Sequence, residues 1–310
     1  MSGSSGYYSS RSEPEDLFKK IKEDQDRTQI QAYEVEVSEF LNDLLSSFDQ
    51  RNRDADIIDQ HLDTIKGALE SDIEGTIDLR YGGSLSRKTF IEGFSDVDIV
   101  VFVNKSELSQ LSPDQIKDYI YNRLKERLPN TEIEKGSTVI SINYSDYQVQ
   151  LLPALRDGNN YKVADTSNKD WMVIQPRKFA EKLTQVNQKC LNKIIPTIKI
   201  AKVIVNQLPE NRRLTGYHIE SIAIDIFKSY KGTNTTAEML KFFFKEAATK
   251  VLYPIKDSSG HKVHVDDKLG ADNSLQRKII SDTLTRIHKK MDNADMYKDV
   301  KIWDDILNGN

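Results

Sequence analysis

The spacing of hydrophobic positions along this chain changes twice. From Pro14 to about Glu70 apolar residues recur at helical intervals. Ala32, Val35, Val37, Phe40, Leu41, Leu44 and Leu45 make one stripe, and Ile57, Ile58, Leu62, Ile65 and Leu69 a second. Two scaffold helices are predicted there. From Gly75 the period falls to two. Thr76-Ile77-Asp78-Leu79-Arg80-Tyr81 alternates as a strand and runs into Gly82-Gly83, and Val97 to Val103 is a β-branched strand with acids at its start. Ser112-Pro113 signals a helix over Asp114 to Leu128, with Ile116, Ile120 and Leu124 on its apolar side. Val139 to Tyr144 and Tyr147 to Leu152 read as strands joined at Ser145-Asp146. After Pro153 strands are expected to give way to helices over Pro176 to Leu208, Tyr217 to Tyr230, Thr236 to Val251 and Ser274 to Asp292, with a polar loop from Asp257 to Asn273. The pattern predicts an α+β chain: a Ser-rich tail over 1–13, a sheet lobe with N-terminal scaffold helices over 14–175, and a helical lobe over 176–310.

Composition narrows the picture modestly. At 310 residues there is room for two packed lobes with a sizeable core. Lys plus Arg is 44 against 48 Asp plus Glu, a net charge of -4. That balance gives no sign of a nucleic-acid partner, so any such groove must be local. No window approaches the roughly 18 apolar residues of a membrane span, and no membrane association is expected. Cys190 is the single cysteine, which fits a reducing, cytoplasmic setting and a packing role on its helix. His261 and His264, with no cysteine nearby, make a poor zinc pattern. Lys19, Lys20 and Lys22 read as a solvated helix face.

The chemistry concentrates in Gly82-Gly83-Ser84 and Asp96-Val97-Asp98. Residues i and i+2 of a strand share a face roughly 7 Å apart, so Asp96 and Asp98 can converge on one point. Converging carboxylates need a counter-charge, and Mg2+ (or Mn2+) is the usual one beside phosphates. Gly83 lets backbone amides approach a phosphate, and the Ser84 hydroxyl adds a donor. Asp-x-Asp alone is common at solvated strand ends, and Gly-Gly-Ser alone is usually a turn. Together, in this order, they suit nucleotidyl transfer: a hydroxyl attacks an α-phosphorus and pyrophosphate leaves.

Gly83-Ser84, eleven residues, then Asp96-Val97-Asp98 resembles the signature of the polymerase-β-like nucleotidyltransferases. The longer strings Gly82-Gly83-Ser84-Leu85-Ser86-Arg87-Lys88-Thr89 and Gly93-Phe94-Ser95-Asp96-Val97-Asp98 resemble the CD-NTases, bacterial relatives of cyclic GMP-AMP synthase. Leu151-Leu152-Pro153-Ala154, Ile194 to Lys202, Gly216-Tyr217-His218-Ile219-Glu220 and Val265 to Gly270 extend the resemblance across about residues 75 to 290. It implies a polymerase-β-like sheet lobe on a helical lobe, and a cyclic di- or trinucleotide synthase of anti-phage signalling. Its substrates would be NTPs, ATP among them. Its product would act on a separate effector, and accessory regulatory proteins are conceivable partners. It also implies that Lys199, with Lys202 as a weaker candidate, contacts the donor phosphates, and that Tyr217 stacks on a base. Gly216 replaces a serine often found before that tyrosine.

One position departs from the pattern. The family's third carboxylate precedes the Leu-x-Pro-Ala segment, and Gln150 stands in its place. Asp146 is four residues away, roughly 13 Å along a strand, too far to substitute. An amide oxygen can ligate a hard cation but brings no charge. Removing one charge at about 4 Å costs up to about 4 kcal/mol at an effective dielectric near 20. Slow turnover follows, and two other readings stay open: a linear or acceptor-directed nucleotidyltransferase, and a non-catalytic nucleotide- or RNA-sensing module.

Overall fold

A computed structural model describes residues 14–51, 55–71, 73–91, 93–145, 147–165, 167, 169–258 and 264–309. The expected tail over 1–13, Asp146 and His261 lie outside the described residues. The helices are α1 (Pro14–Arg51), α2 (Ala55–Glu70), α3 (Gly83–Ser86), α4 (Pro113–Arg127), α5 (Pro176–Lys189), α6 (Ile194–Asn206), α7 (Gly216–Ile226), α8 (Thr236–Lys250), α9 (Leu275–Tyr297) and α10 (Lys301–Asn308). The strands are β1 (Gly75–Tyr81), β2 (Val97–Ser106), β3 (Glu132–Lys135), β4 (Ile140–Asn143), β5 (Gln148–Asp157), β6 (Asn160–Ala164) and β7 (Trp171–Ile174).

These strands form one sheet in the order β1-β2-β5-β4-β3, extended by β6 on β5 and β7 on β6. Only β2 and β5 run parallel. Such a central pair is covered on both faces, which is why β2 buries nearly every residue from Val97 to Val103. Ile65 and Leu69 of α2, and Ile116, Ile120 and Leu124 of α4, pack on one face and form a core with Ile99, Val101 and Leu151. Ser112 caps α4 through a reciprocal box with Gln115, as the Ser-Pro signal predicts.

Strands do not stop at Pro153. β5 continues to Asp157, and β6 and β7 follow. Pro153 sits where its missing N–H costs little: β4 pairs with β5 only as far as Leu151, and β6 joins only from Ala154. The expected single helix from Pro176 to Leu208 is two. Leu191 and Asn192 adopt positive φ between them, and the Asn187 amide oxygen accepts from the N–H groups of Ile194 and Ile195, capping α6 (both 3.1 Å).

The helical lobe encloses the larger core, centred on Phe243, Phe244, Phe227 and Trp303. It also takes α1, which the sequence pattern groups with the sheet lobe. Tyr33, Val37, Leu41 and Phe48 are buried in this second core, and the Trp303 indole donates to the Tyr33 hydroxyl (3.0 Å). Helical periodicity locates the buried stripe on α1 only in part, since Ala32 and Val35 are exposed, and it does not say which lobe covers the rest.

Candidate active site

Between the lobes lies a cleft of about 910 Å3. That is near the upper end of small-molecule sites, which run from about 300 to 1,000 Å3. One wall is the carboxyl-side turn of β1 and the start of β2. The Gly82 N–H donates to the Asp98 carbonyl (2.8 Å). Gly83 has φ +43°, and a Cβ there would fall on the Asp98 carboxylate. A glycine is therefore required at 83 chiefly to admit Asp98. Ser84 is buried, and its N–H donates to the Asp98 carboxylate.

Asp96 and Asp98 line the cleft together, as their spacing predicts, and Gln150 joins them. In the parallel β2–β5 register Asp98 is the direct partner of Gln150. The Gln150 amide nitrogen donates to Asp96 Oδ2 (2.8 Å) and to Gln148 Oε1 (2.9 Å). So the position expected to carry a third acid carries a donor aimed at the first. Burial pushes the Asp96 carboxyl above the ordinary range. Burial also raises Asp98, more than Arg87 and the Ser84 N–H pull it down, with Asp96 adding to the rise. Both carboxylates thus lack full counter-charge, which suits a divalent cation arriving with a substrate. Among the described residues no third acid, histidine or cysteine completes a three-ligand group.

Beneath the cleft lies a buried ion cluster that sequence reasoning did not assign. Glu220 of α7 is fully buried. It accepts from Arg87 Nε (2.5 Å), Thr89 Oγ1 (2.5 Å) and Lys202 Nζ (2.8 Å). Lys202 also donates to the Thr89 carbonyl (3.0 Å). Burial alone would raise Glu220, but Lys202 and Arg87 outweigh it and hold the carboxyl below its usual range. Arg87 and Thr89 follow the glycine turn while Lys202 and Glu220 sit on α6 and α7, so this cluster joins the lobes beneath the cleft. An acid and a lysine within the apolar runs of α7 and α6 were the available signal, because buried charges occur in pairs.

The lysine expectations divide. Lys202 lines the cleft, though its ammonium is already committed to Glu220. Lys199, a turn earlier on α6, is not among the lining residues. Tyr217 does reach the cleft. Its ring stacks on Phe179 (4.9 Å between centroids), and the Arg87 guanidinium lies over Phe179 at 5.0 Å and near the Tyr217 ring at 5.8 Å. Its hydroxyl donates to Asp257 (2.9 Å).

The late loop holds this end of the cleft. Asp266 is buried with Arg277, which donates to it (2.5 Å) and to the carbonyls of Val251, Tyr253 and Gly270. The adjoining Val265 carbonyl meets His218 Nε2 (2.8 Å), while His218 Nδ1 accepts from the Thr215 N–H (3.3 Å). These partners select the Nε2–H tautomer, and burial lowers the His218 pKa, so the ring is neutral here. Thr215 caps α7 just before Gly216 and Tyr217.

Comparison with known proteins agrees with this geometry. Residues 35–187 match the Second Messenger Oligonucleotide or Dinucleotide Synthetase domain. The cyclic nucleotide synthase CdnE01 of Staphylococcus haemolyticus is 25% identical over 232 residues, 60% of this chain and 77% of that protein. These matches together indicate the CD-NTase family. Solved CD-NTases share the fold at lower identity. Escherichia coli MS115-1 CdnC with ATP superposes at TM-score 0.61 and 17% identity, covering 83% of this chain and 92% of that one. Vibrio cholerae DncV, solved with the linear intermediate 5' pppA(3',5')pG, gives 0.62 and 12% over 94% of this chain and 90% of DncV. The chain has the expected α+β architecture and shares the polymerase-β-like fold of these solved proteins, with Asp96 and Asp98 at one wall of its cleft. No described helix is long and apolar enough to cross a membrane.

Proposed function

We propose that this CD-NTase joins NTPs into a cyclic oligonucleotide by nucleotidyl transfer, releasing pyrophosphate, in cytoplasmic anti-phage signalling through a separate effector. The convergence of Asp96 and Asp98 on one cleft, with Gly83 shaped to admit Asp98, is the observation that carries this reading. Asp96 and Asp98 would hold Mg2+ (or Mn2+), which when bound supplies positive charge to the triphosphate. Ser84 offers a hydroxyl to the donor phosphates. Tyr217, backed by Phe179, presents a ring to a nucleobase. Lys202 acts on phosphates at most through its field, because its hydrogen bonds go to Glu220 and Thr89. Lys199 remains a proposed contact only for a triphosphate reaching beyond the present lining.

The Gln150 donor on Asp96 favours a second reading, a nucleotide-binding module without turnover. It adds no charge but occupies Asp96 Oδ2, and so competes with a cation for that oxygen. Incubation with four labelled NTPs in Mg2+ and then Mn2+, followed by phosphatase, separates the possibilities. Phosphatase-resistant products support a cyclic oligonucleotide synthase. Products that grow only with an added acceptor identify an acceptor-directed enzyme. Tight NTP binding with no product, even after Gln150→Asp, supports the binding module.

A further inference from the structure

α1 runs past the body that it helps to build. Tyr33, Val37 and Leu41 face the helical core, yet every described side chain from residue 16 to residue 32 is exposed. This leaves about 25 Å of helix without tertiary packing. A helical segment of that length is marginal in water on its own, since most helical stability comes from a buried face.

The exposed segment carries such a face. Phe18, Ile21, Gln25, Thr28, Ala32 and Val35 follow the alternating three- and four-residue spacing of a coiled-coil seam. They lie on the side of α1 away from the core. Phe18 is 72% exposed, Ile21 46% and Val35 55%. The flanking charge is uneven: Lys19, Lys20, Lys22 and Arg27 interleave with Asp16, Glu23, Asp24 and Asp26 in a balanced first half, whereas Glu34, Glu36 and Glu39 leave the second half acidic.

We propose that this overhang pairs with the same segment of a second copy of the chain, antiparallel, to form a homodimer. Antiparallel pairing sets Phe18 against the partner's Val35, Ile21 against the partner's Ala32, and Gln25 against the partner's Thr28. It also brings Lys22 beside Glu36 of the partner subunit, twice by symmetry. A parallel pair would set the two acidic halves against each other. The polar Gln25–Thr28 layers at the centre fix register at some cost in affinity. Two such helices bury on the order of 1,000 Å2 in total, the lower limit for a specific interface, so a weak, concentration-dependent dimer is expected.

Sedimentation velocity on the full chain, from low micromolar to a few hundred micromolar, should show mass rising towards two chains. Phe18→Glu should keep it monomeric with an unchanged circular dichroism melt. Lys22→Glu should weaken the dimer roughly fivefold, as loss of two exposed ion pairs predicts, and adding Glu36→Lys should restore it. Cys190 is buried, so cysteine cross-linking has little background. Phe18→Cys with Val35→Cys in one chain should give a disulfide-linked dimer on oxidation, and Phe18→Cys alone should not. A monomer at all concentrations overturns the proposal. So does efficient linkage by Phe18→Cys alone, or failure of Glu36→Lys to compensate.

Discussion

Two carboxylate centres adjoin the cleft, and their environments are opposite. Glu220 is fully buried yet accepts from Arg87, Thr89 and Lys202, and its carboxyl is held below the usual range. Asp96 and Asp98 are less enclosed, yet burial raises both. Glu220 is complete within the protein, and its three donors come from both sides of the interlobe seam. The aspartates have one amide, one backbone N–H and a guanidinium shared with Glu220. The difference separates a group that fixes the lobes from a group left unbalanced for a ligand. It also explains Arg87, which serves Glu220 by direct contact and Asp98 only by its field.

The largest expected effect breaks the ligand centre. Asp98→Asn should lower product formation by on the order of 10³-fold, because several kcal/mol of transition-state charge stabilisation depend on that ligand. The same change should leave the ligand-free protein as stable or slightly more so, since it removes a charge that burial penalises. A clear drop in melting temperature would mean that Asp98 is a structural group like Glu220. The complementary change, Glu220→Gln, leaves Arg87 and Lys202 without their buried counter-charge. It should destabilise the fold by about 3–5 kcal/mol in denaturant titration, as for other half-removed buried pairs. Lys202→Met combined with Glu220→Leu should recover part of that loss. If Glu220→Gln is neutral to stability, the two centres are not different in kind.

Much of this contrast could be read from the chain, and the remainder shows where sequence reasoning loses reach. Asp96 and Asp98 were legible because strand periodicity and a local glycine turn fix their relation over a short span, whereas Gln150 was singled out only by the resemblance at Leu151-Leu152-Pro153-Ala154. The β2–β5 register then places Gln150 directly opposite Asp98. Glu220 and Lys202 were visible as charges in apolar helices, but their partners Arg87 and Thr89 lie more than a hundred residues away. Nothing local announces that distance. Lys199 and Lys202 show the same limit: both sit in a lysine-bearing helix, and only the packing of α6 selects Lys202 for the cleft wall. β6 and β7 were missed because Pro153 reads as a strand stop unless the ends of β4 and β6 are known. The grouping of α1 with the sheet lobe fails for a similar reason, since a stripe does not name its cover.

A milder change sharpens the comparison instead of breaking it. Gln150→Asp replaces a donor to Asp96 with a third negative charge. The ligand centre becomes more unbalanced, and a cation gains about half of a roughly 4 kcal/mol interaction after solvent and phosphates compensate. Turnover in Mg2+ should rise tens-fold in the labelled-NTP assay. The ligand-free protein should lose a little stability as Asp96 loses its donor. Unchanged turnover would remove Gln150 from the metal site and leave it as a sheet residue.

The smallest effect is in the pH dependence of metal stabilisation. Asp96 and Asp98 have folded-state pKa values above their ordinary ones. For raised acids the favourable contribution is complete below the ordinary aspartate range and is lost as pH rises through the folded pKa. Above that point the folded protein carries repulsion that a bound cation offsets, and below it the protonated acids bind no cation. Mg2+ should therefore raise the melting temperature by a few degrees at pH 8 and by less near pH 5. Glu220 makes the contrast testable in one series. Its lowered pKa gives stability present above the ordinary glutamate range and lost only as pH falls through the folded value, with or without Mg2+. A thermal-shift grid of pH against Mg2+, run on the unaltered protein and on Asp98→Asn, reads both trends. If the Mg2+ shift is flat with pH, or survives in Asp98→Asn, the cation is binding somewhere other than between Asp96 and Asp98.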